Sequence, residues 1–310
     1  MDADRPVVVV GAAGIDIKAR PLDPLQMGTT NRGVLRHSLG GVARNIAENL
    51  ARLEVPTRLL SAVGQDSAGE SILTRTAAAG VDVSYVLRLP DVASGSHAAI
   101  LDQDGQLVVA VSEYDIIEAV SPTYLYQNRA LFADAAMIVV DASLSDKALA
   151  TVFRIARRYQ VPVCADPTSP LLAAKLIPYL PELTMAAPDA SEAVALCGGE
   201  PPTSSEDAIL LAQCLRGQGV RIAIVTLAEQ GLAYCDGGHA GHIPALRTSV
   251  VDKTGVGDAL TAGVIFGLVN EMPLDEAIRM GVAAAAVTLR SRETVAPDLS
   301  LDRLYDELVV

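Results

Sequence analysis

The chain has 310 residues, 50% hydrophobic and 20% charged, which is enough apolar material for one large α/β domain or two smaller ones. Its formal net charge is -13, and no run of Lys or Arg forms a stripe that could follow a phosphate backbone, which argues against nucleic-acid binding. The apolar runs are shorter than the roughly 20 residues of a membrane helix, and the N-terminus is acidic where a signal peptide is basic. We therefore expect a cytoplasmic protein with no membrane partner, whose four widely spaced cysteines are reduced thiols.

Short β-branched runs alternate along the chain with segments of helical period. The runs are nearly continuous in apolar residues, as is typical of strands in a parallel sheet that is covered on both faces. They are residues 7–10, 58–63, 137–140, 161–165, 184–186 and 221–226. This βαβ succession predicts an α/β fold with right-handed crossovers and a ligand crevice at the carboxyl ends of the strands.

Two regions interrupt this alternation. Residues 15–38 contain Pro, Gly and Thr without a helical period, and residues 97–112 alternate like two strands joined by the Asp-Gln-Asp-Gly turn at 102–105. Both regions flank the expected crevice, so we predict a small β lid formed by about 15–38 and 94–113, the alternative being two loops without a function. No repeat or linker divides the chain, which favours a single domain over residues 1–310.

The most informative motif is the glycine-rich stretch 252–258, which opens an apolar helix. Gly255 and Gly257 let the backbone approach a ligand closely, and the free amides of a first helical turn, including that of Val256, attract anions such as phosphate. A carboxylate beside a phosphate site is a poor phosphate ligand but a suitable proton acceptor, which makes Asp258 a candidate catalytic base. The alternative is an ordinary glycine-rich turn with Asp258 as a helix-start residue.

A second constellation lies at residues 40–45. Gly40 and Gly41 begin a helix and leave backbone amides accessible, while Asn45 offers both a donor and an acceptor to sugar hydroxyls. Asp16, which follows the first strand, could accept hydrogen bonds from two adjacent hydroxyls. The alternative is a glycine-rich helix start with Asn45 bonded to backbone and Asp16 in solvent.

Together, and in this order, the two motifs resemble the signatures of the ribokinase-like family, also called the phosphofructokinase-B sugar kinases. The first signature is residues 40–53, followed by residues 61–66 and Gly69, and the second is residues 252–258. The resemblance covers nearly the whole chain. It implies a Rossmann-type, mostly parallel sheet with helices on both faces plus a small β lid. It also implies ATP as phosphoryl donor, Mg²⁺, and transfer to a primary hydroxyl of a small-molecule sugar or nucleoside.

The resemblance also implies roles for individual residues of this chain. Asp258 is the base, and the amides of Gly255, Val256 and Gly257 stabilise charge on the transferring phosphoryl group. The substrate is held by Asp16, Gly40, Gly41 and Asn45. The nucleotide lies near Thr226, Gly231, Gly255 and Gly257. Asp189 and Glu192 hold Mg²⁺ through water. Asp252 matches a residue that helps hold K⁺ in potassium-activated members, so we expect activation by K⁺.

Three departures from the family pattern stand near these positions. Asp189 replaces the usual Asn of the metal element, which keeps an oxygen ligand but adds a charge. Lys253 replaces a small hydroxyl residue, and Ala228 stands where glycine is common. None of the three removes the base or the anion site, so we expect an active enzyme.

Within the family, the chain resembles bacterial pseudouridine kinases in residues 40–53, 59–64, 100–102, 108–111 and 297–300. This resemblance implies phosphorylation of the 5′-hydroxyl of pseudouridine. Those enzymes usually carry an Asn-Asp pair in the lid strand to bind the base, and this chain has Ser112 and Glu113 there. A changed pair can mean that a different base is bound. Ribose, another sugar or another nucleoside remains the alternative. A sugar phosphate would need a basic residue such as Arg32, Arg36 or Lys175. A catalytically silent nucleoside-binding protein is the alternative of another class.

The lid also suggests how the chain assembles. An antiparallel sheet with exposed edges and an apolar face often pairs with its own copy, so we expect a homodimer through the lid.

Overall fold

The structure is a computed structural model that describes residues 5–308. Its strands are β1 (Val7–Val10), β2 (Gly14–Pro21), β3 (Gly33–Gly40), β4 (Thr57–Gly64), β5 (Val86–Leu89), β6 (Gly95–Leu101), β7 (Leu107–Glu113), β8 (Met137–Asp141), β9 (Val163–Asp166), β10 (Leu183–Ala186), β11 (Ile222–Thr226), β12 (Leu232–Cys235) and β13 (Ala240–Ile243).

The α-helices alternate with these strands. They are α1 (Val42–Arg52), α2 (Ser67–Ala78), α3 (Pro122–Gln127), α4 (Arg129–Ala133), α5 (Asp146–Tyr159), α6 (Pro170–Ala173), α7 (Ala190–Cys197), α8 (Ser205–Gly217), α9 (Val256–Val269), α10 (Leu274–Leu289) and α11 (Leu301–Leu308). Short 3-10 helices cover Asp115–Ala119, Ala174–Glu182 and Ala228–Gln230.

The larger sheet has nine strands in the order β13-β12-β11-β10-β9-β8-β1-β4-β5. The strands from β11 to β5 are parallel, and only β12 and β13 at one edge are antiparallel. The six apolar runs identified in the sequence form β1, β4, β8, β9, β10 and β11. The predicted mostly parallel α/β fold is therefore confirmed.

Helices cover both faces of this sheet, as the central strand β1 illustrates. Its residues Val7 and Val9 pack into one hydrophobic core with residues of α1, α9 and α10. Val8 and Val10 pack into a second core with residues of α5 and α8. Because successive side chains of a strand point to opposite faces, a strand between two helical layers must be apolar at every position.

The smaller sheet has four strands in the order β3-β2-β6-β7. Strands β2 and β3 are antiparallel, β2 and β6 are parallel, and β6 and β7 form a hairpin whose turn closes with a bond from the Gly105 amide to the Asp102 carbonyl, 3.0 Å long. One face carries large apolar side chains that are more than half exposed to solvent at Leu35, Leu107 and Val111. This face has no covering layer in the described chain.

The cysteine prediction is wrong for one pair. Cys197 and Cys214 form a disulfide with a Cα–Cα distance of 6.3 Å, because the end of α7 lies beside α8. Cys164 and Cys235 are buried free thiols. No helix within residues 5–308 is long and apolar enough to cross a membrane.

Candidate active site

The backbone at the start of α9 is shaped by its glycines. Gly255 is the N-cap residue, with φ 76°, and a Cβ at this position would overlap the carbonyl oxygen of Thr294. Only glycine fits both restrictions. A Cβ on Gly257 would instead enter open space, and Gly257 lines a large cavity. The first-turn amides of α9 therefore face an open site in which an anion can approach the backbone.

Asp258 lies in the first turn of α9 and is 8% exposed. The Asn45 side-chain amide donates a hydrogen bond of 2.6 Å to its Oδ2. Burial, and next the charge of Asp166, raise the pKa of Asp258 well above the usual range, although the Asn45 bond and Arg44 oppose the rise. A carboxyl group with a raised pKa and one free oxygen at a cavity is a suitable proton acceptor.

Asp16 lies on β2 and is also buried, at 8% exposure. Burial raises its pKa, and the positive charges of Arg44 and Lys18 are among those that oppose the rise. A Cβ on Gly40 would overlap the Asp16 carboxylate, so the glycine lets that carboxylate lie directly against the backbone before α1. Gly41 follows as the N-cap of α1, with φ 90°. Asp16, the two glycines and Asn45 thus surround the space beside Asp258.

Arg44 is a functional neighbour that the sequence reasoning missed. It is 1% exposed, and its guanidinium bonds Glu48 at 2.5 Å, the Gly40 carbonyl at 3.1 Å and the Thr294 hydroxyl at 3.1 Å. It also donates to the Asn45 Oδ1, which fixes the orientation of the amide that bonds Asp258. The spacing of Arg44 and Glu48 by four residues was the available signal, since such pairs meet on a helix.

Asp141 was missed as well. It ends β8, is 1% exposed, and its Oδ2 accepts bonds from the amides of Ala12 (2.8 Å) and Ala43 (3.1 Å). It thereby joins the loop after β1 to the first turn of α1. Burial raises its pKa, and these hydrogen bonds partly oppose the rise. The contacts span about a hundred residues of sequence, so no local motif marks them.

A group of carboxylates lies at the carboxyl ends of β9 and β10. Asp189 and Glu192 form a capping box at the start of α7, with both reciprocal bonds 2.8 Å long. Burial, and next the charge of Asp166, raise the pKa of Glu192 to about 8. Burial also raises the pKa of Asp166 to about 7, with Asp141 and Asp189 adding to the rise.

These carboxylates fit a divalent cation held through water. Within residues 5–308 no three His, Cys, Asp or Glu side chains cluster closely enough to bind a metal directly. In the capping box, each side chain of the pair uses one oxygen for the amide of the other and keeps a second oxygen. Carboxylate oxygens are hard donors and are suited to Mg²⁺, which retains several of its own water ligands.

The residues predicted to bind the nucleotide line a cavity of about 990 Å³, which Asp258 also lines. Thr226 and Gly231 line it, together with Asp189 and Glu192. Its far wall is apolar and is formed by Leu246, Val250, Val282, Ala285, Ala286 and Leu289. Ala228, which stands where the family commonly has glycine, has φ 50°, so the backbone shape that favours glycine is retained here with an alanine.

Ser112 and Glu113 are neighbours on β7, and their side chains lie on opposite faces of the smaller sheet. Ser112 pairs in register with His97, and His97 pairs with Asp16 on the other side. The His97 Nδ1 and Ser112 Oγ are 2.7 Å apart. Glu113 follows Ser112 on the same strand and so points to the opposite face. Two side chains on opposite faces of a sheet do not contact the same edge of a base. His97, which the sequence reasoning missed, is the residue beside Ser112.

The basic residues considered for a sugar phosphate are distributed differently. Lys175 donates to the carbonyls of Ala142 (2.8 Å) and Leu144 (2.6 Å) and so holds the loop after β8. Arg32 and Arg36 are exposed at the smaller sheet. Lys18, on β2, forms an ion pair with Asp252.

Comparisons with known proteins match the chain to a family and to solved structures of the same fold. Residues 4–300 match the family described as pfkB family carbohydrate kinase. The chain is 33% identical over 296 residues to the pseudouridine kinase of Escherichia coli, covering 95% of this chain and 94% of the relative. It is 29% identical to the guanosine-inosine kinase of Exiguobacterium acetylicum, covering 96% and 99%. The structure of Arabidopsis thaliana ribokinase complexed with ribose and ATP has the same fold, with a TM-score of 0.84, 23% identity and 100% coverage of both chains.

Proposed function

The chain belongs to the pfkB family of carbohydrate kinases, and we propose that this ATP-dependent kinase phosphorylates the 5′-hydroxyl of a nucleoside, pseudouridine. The observation that supports a nucleoside over a free sugar is a row of polar residues across the smaller sheet. The row runs in register through Ser38, Asp16, His97 and Ser112. Four neighbouring strands span about 14 Å, which exceeds the length of a pentose.

The row divides the substrate site into two parts. Asp16, with Asn45, is suited to the hydroxyls of a ribose ring, because both are short, buried and next to Asp258. His97 and Ser112 lie further along the row, where they can donate to and accept from the edge of a base. The 33% identity to the E. coli pseudouridine kinase favours pseudouridine as that base-bearing substrate.

The proposed transfer uses groups of this chain at each end of the reacting bond. The 5′-oxygen of the acceptor bonds to the terminal phosphorus of ATP as the bond from that phosphorus to the leaving ADP oxygen breaks. The hydroxyl proton passes to Asp258, whose raised pKa suits a base. The amides of Val256 and Gly257, at the start of α9, stabilise charge on the transferring group, which is where most catalysis of phosphoryl transfer lies.

Mg²⁺ is part of the proposal. Asp189 and Glu192, which both line the cavity, would hold it through water. Bound Mg²⁺ neutralises charge on the phosphate oxygens during transfer.

We also propose that the smaller sheet is a lid that excludes water, and that it joins two copies of the chain. Leu35 and Val109 lie in one row across this sheet, on an exposed apolar face. Exposed apolar patches of this kind commonly mark an interface. Analytical ultracentrifugation tests this: Val111→Glu should yield a monomer, whereas Leu210→Glu on α8, an equally exposed position, should leave the wild-type state unchanged. A monomeric wild-type protein contradicts the dimer.

A cytoplasmic location remains a prediction from the composition.

A substrate panel tests the nucleoside proposal. We would measure initial rates of ADP formation with pseudouridine, uridine, inosine, guanosine and ribose at equal concentrations. We expect kcat/KM for pseudouridine to exceed that for ribose by at least about 100-fold, since the base-reading groups add to transition-state binding only when a base is present.

Matched variants then locate the base-reading groups. Ser112→Ala should lower kcat/KM for pseudouridine by about tenfold and leave that for ribose within about twofold. Ser96→Ala, on the adjacent strand and the opposite face, should change neither. Equal losses for ribose and pseudouridine would contradict base reading by this row. Binding without turnover of any compound would favour the silent nucleoside-binding alternative.

A further inference from the structure

Lys18 reaches from the smaller sheet to the loop that precedes α9. Its Nζ lies 2.6 Å from Asp252 Oδ1, and it also donates to the hydroxyl of Thr254. The Thr254 amide donates to the same Asp252 oxygen, at 2.9 Å. The side chains of Lys18 and Asp252 are only 20% and 17% exposed. One ammonium group thus binds two side chains within three residues of Gly255.

The charges around Lys18 favour this pairing. Lys18 lies directly opposite Arg36 on the neighbouring strand, and like charges in that relation repel. Its ammonium group is paired with Asp252, and its positive charge also acts on the carboxylate of Asp16, two residues earlier on β2. Burial raises the pKa of Asp252, but the bonds from Lys18 and Thr254 outweigh that effect and lower it. Asp252 is therefore ionised and its charge is balanced from within the chain.

This arrangement does not fit a monovalent cation bound at Asp252. A bound K⁺ would need free oxygens around it, whereas Asp252 Oδ1 already accepts from an ammonium and an amide. A second positive charge beside Lys18 would be repelled at short range.

We propose that Lys18 takes the place of a monovalent cation, holding the 252–255 turn in the shape that presents the amides of α9, and that the enzyme is therefore independent of K⁺. Lys18 is a positioning residue in this role, because it acts through Asp252 and Thr254. It also shares β2 with Asp16, two residues away, so the strand that binds the substrate also fixes the anion site. The inference rests on the kinase activity of the chain and on no particular substrate.

The test compares wild type, Lys18→Met and Lys147→Met. Lys147 lies exposed on α5 and serves as the matched control. Initial rates are measured with the best acceptor of the panel in choline, sodium and potassium chloride at constant ionic strength. We expect wild type and Lys147→Met to vary by less than about twofold among the salts, and Lys18→Met to lose about tenfold in kcat in choline, because the anion site is misplaced. Potassium should raise the kcat of Lys18→Met at least about threefold over its value in choline, since Asp252 is then free to bind the ion.

A second measurement uses no substrate. The thermal unfolding midpoint of the protein alone is recorded in the same salts. Potassium should raise the midpoint of Lys18→Met over its value in choline and leave wild type unchanged, because a ligand of the folded state stabilises it. This readout stands even if the substrate proposal fails, so the two failures are distinguishable.

Several outcomes would overturn the inference. Wild-type turnover that rises several-fold with K⁺ would show that Lys18 does not replace the ion. Unchanged kcat of Lys18→Met in choline would show that the turn does not need the charge. If Lys18→Met does not fold, Lys18→Arg and the wild-type salt series still decide the matter, since potassium activation of wild type alone contradicts the proposal.

Discussion

The start of α9 and the smaller sheet contribute to the same site but are built differently. At α9, the first-turn amides proposed to bind phosphate and Asp258 come from seven consecutive residues whose backbone is fixed by Gly255. In the smaller sheet, the row of polar residues comes from four strands, and its members meet only through strand register. Asp258 is buried at the start of α9, whereas β7 is exposed along its whole length. We therefore expect the phosphoryl-transfer chemistry to depend on one short local motif, and substrate choice to depend on side chains brought together from several strands.

The largest effect is expected at the base. Asp258→Asn should lower kcat by about 10² to 10⁴-fold with substrate binding nearly unchanged, because the amide keeps the shape but accepts no proton. Steady-state kinetics and calorimetric binding of the acceptor measure the two quantities. Asp275→Asn, in the first turn of α10, is the control and should behave as wild type. Full activity of Asp258→Asn would mean that the base is assigned wrongly.

The pH dependence sharpens the same assignment. A base acts when ionised, and burial raises the pKa of Asp258. The rate should therefore fall as pH decreases through that raised pKa, well above the range of an ordinary carboxyl. A kcat that stays constant down to about pH 5 would contradict the raised value.

A change at Arg44 should affect both regions at once. Arg44 is 1% exposed and ties Gly40 of β3 and Glu48 of α1 to Thr294, which lies against Gly255. Arg44→Met should reduce the free energy of unfolding by about 1–3 kcal/mol, because it leaves the Gly40 carbonyl and one oxygen of Glu48 without this buried donor, while Arg52 still pairs with Glu48. Urea unfolding measures the change.

The control for Arg44 is a surface arginine. Arg58→Met removes the longer ion pairs with Asp82 and Asp134, 3.9 and 3.4 Å, from a more exposed position and should change stability by less than about 1 kcal/mol. Equal effects of the two substitutions would show that burial of Arg44 confers no special stability.

In the smaller sheet, Asp16→Asn should affect every acceptor. Asp16 is expected to accept from two ribose hydroxyls, and the amide offers only one acceptor oxygen. We expect kcat/KM to fall by about 10 to 100-fold for ribose and pseudouridine alike, chiefly through KM. Asp23→Asn, exposed just beyond β2, should change neither. A loss of kcat/KM for pseudouridine alone would show that Asp16 contacts the base and not the sugar.

The same contrast explains what the sequence could predict. The apolar run Val7–Val10 predicted a central strand because a strand between two helical layers is apolar throughout. Gly255 and Asp258 were found because their role depends on backbone shape within one short segment. Asp141 was missed because its partners, the amides of Ala12 and Ala43, are 129 and 98 residues away.

Side-chain direction and strand register limit what the sequence could predict in the smaller sheet. Ser112 and Glu113 are adjacent in sequence and were expected to act together, but neighbours on a strand face opposite ways. His97 carried no motif of its own, and only the β6–β7 register brings it to Ser112. The disulfide of Cys197 and Cys214 likewise depends on how α7 packs against α8.

The smallest effect is expected at the metal-side carboxylates. The pKa of Glu192 is raised to about 8 in the folded protein, from an ordinary value of 4.5 in the unfolded chain. Between these pH values the folded state holds a proton that the unfolded chain has released, so stability falls as pH rises. A divalent cation favours the ionised carboxylates, so the rise in thermal midpoint caused by Mg²⁺ should be larger at about pH 9 than at about pH 6, by about 2 °C.

Matched glutamate variants assign this effect to the capping box. Glu192→Gln should remove the pH dependence of the Mg²⁺ effect, because the amide does not titrate. Glu200→Gln, an exposed residue just after α7, should retain it. If Mg²⁺ raises the thermal midpoint of wild type equally at both pH values, Glu192 does not take part in binding the ion. The phosphates of the nucleotide would then be the ligands of the metal.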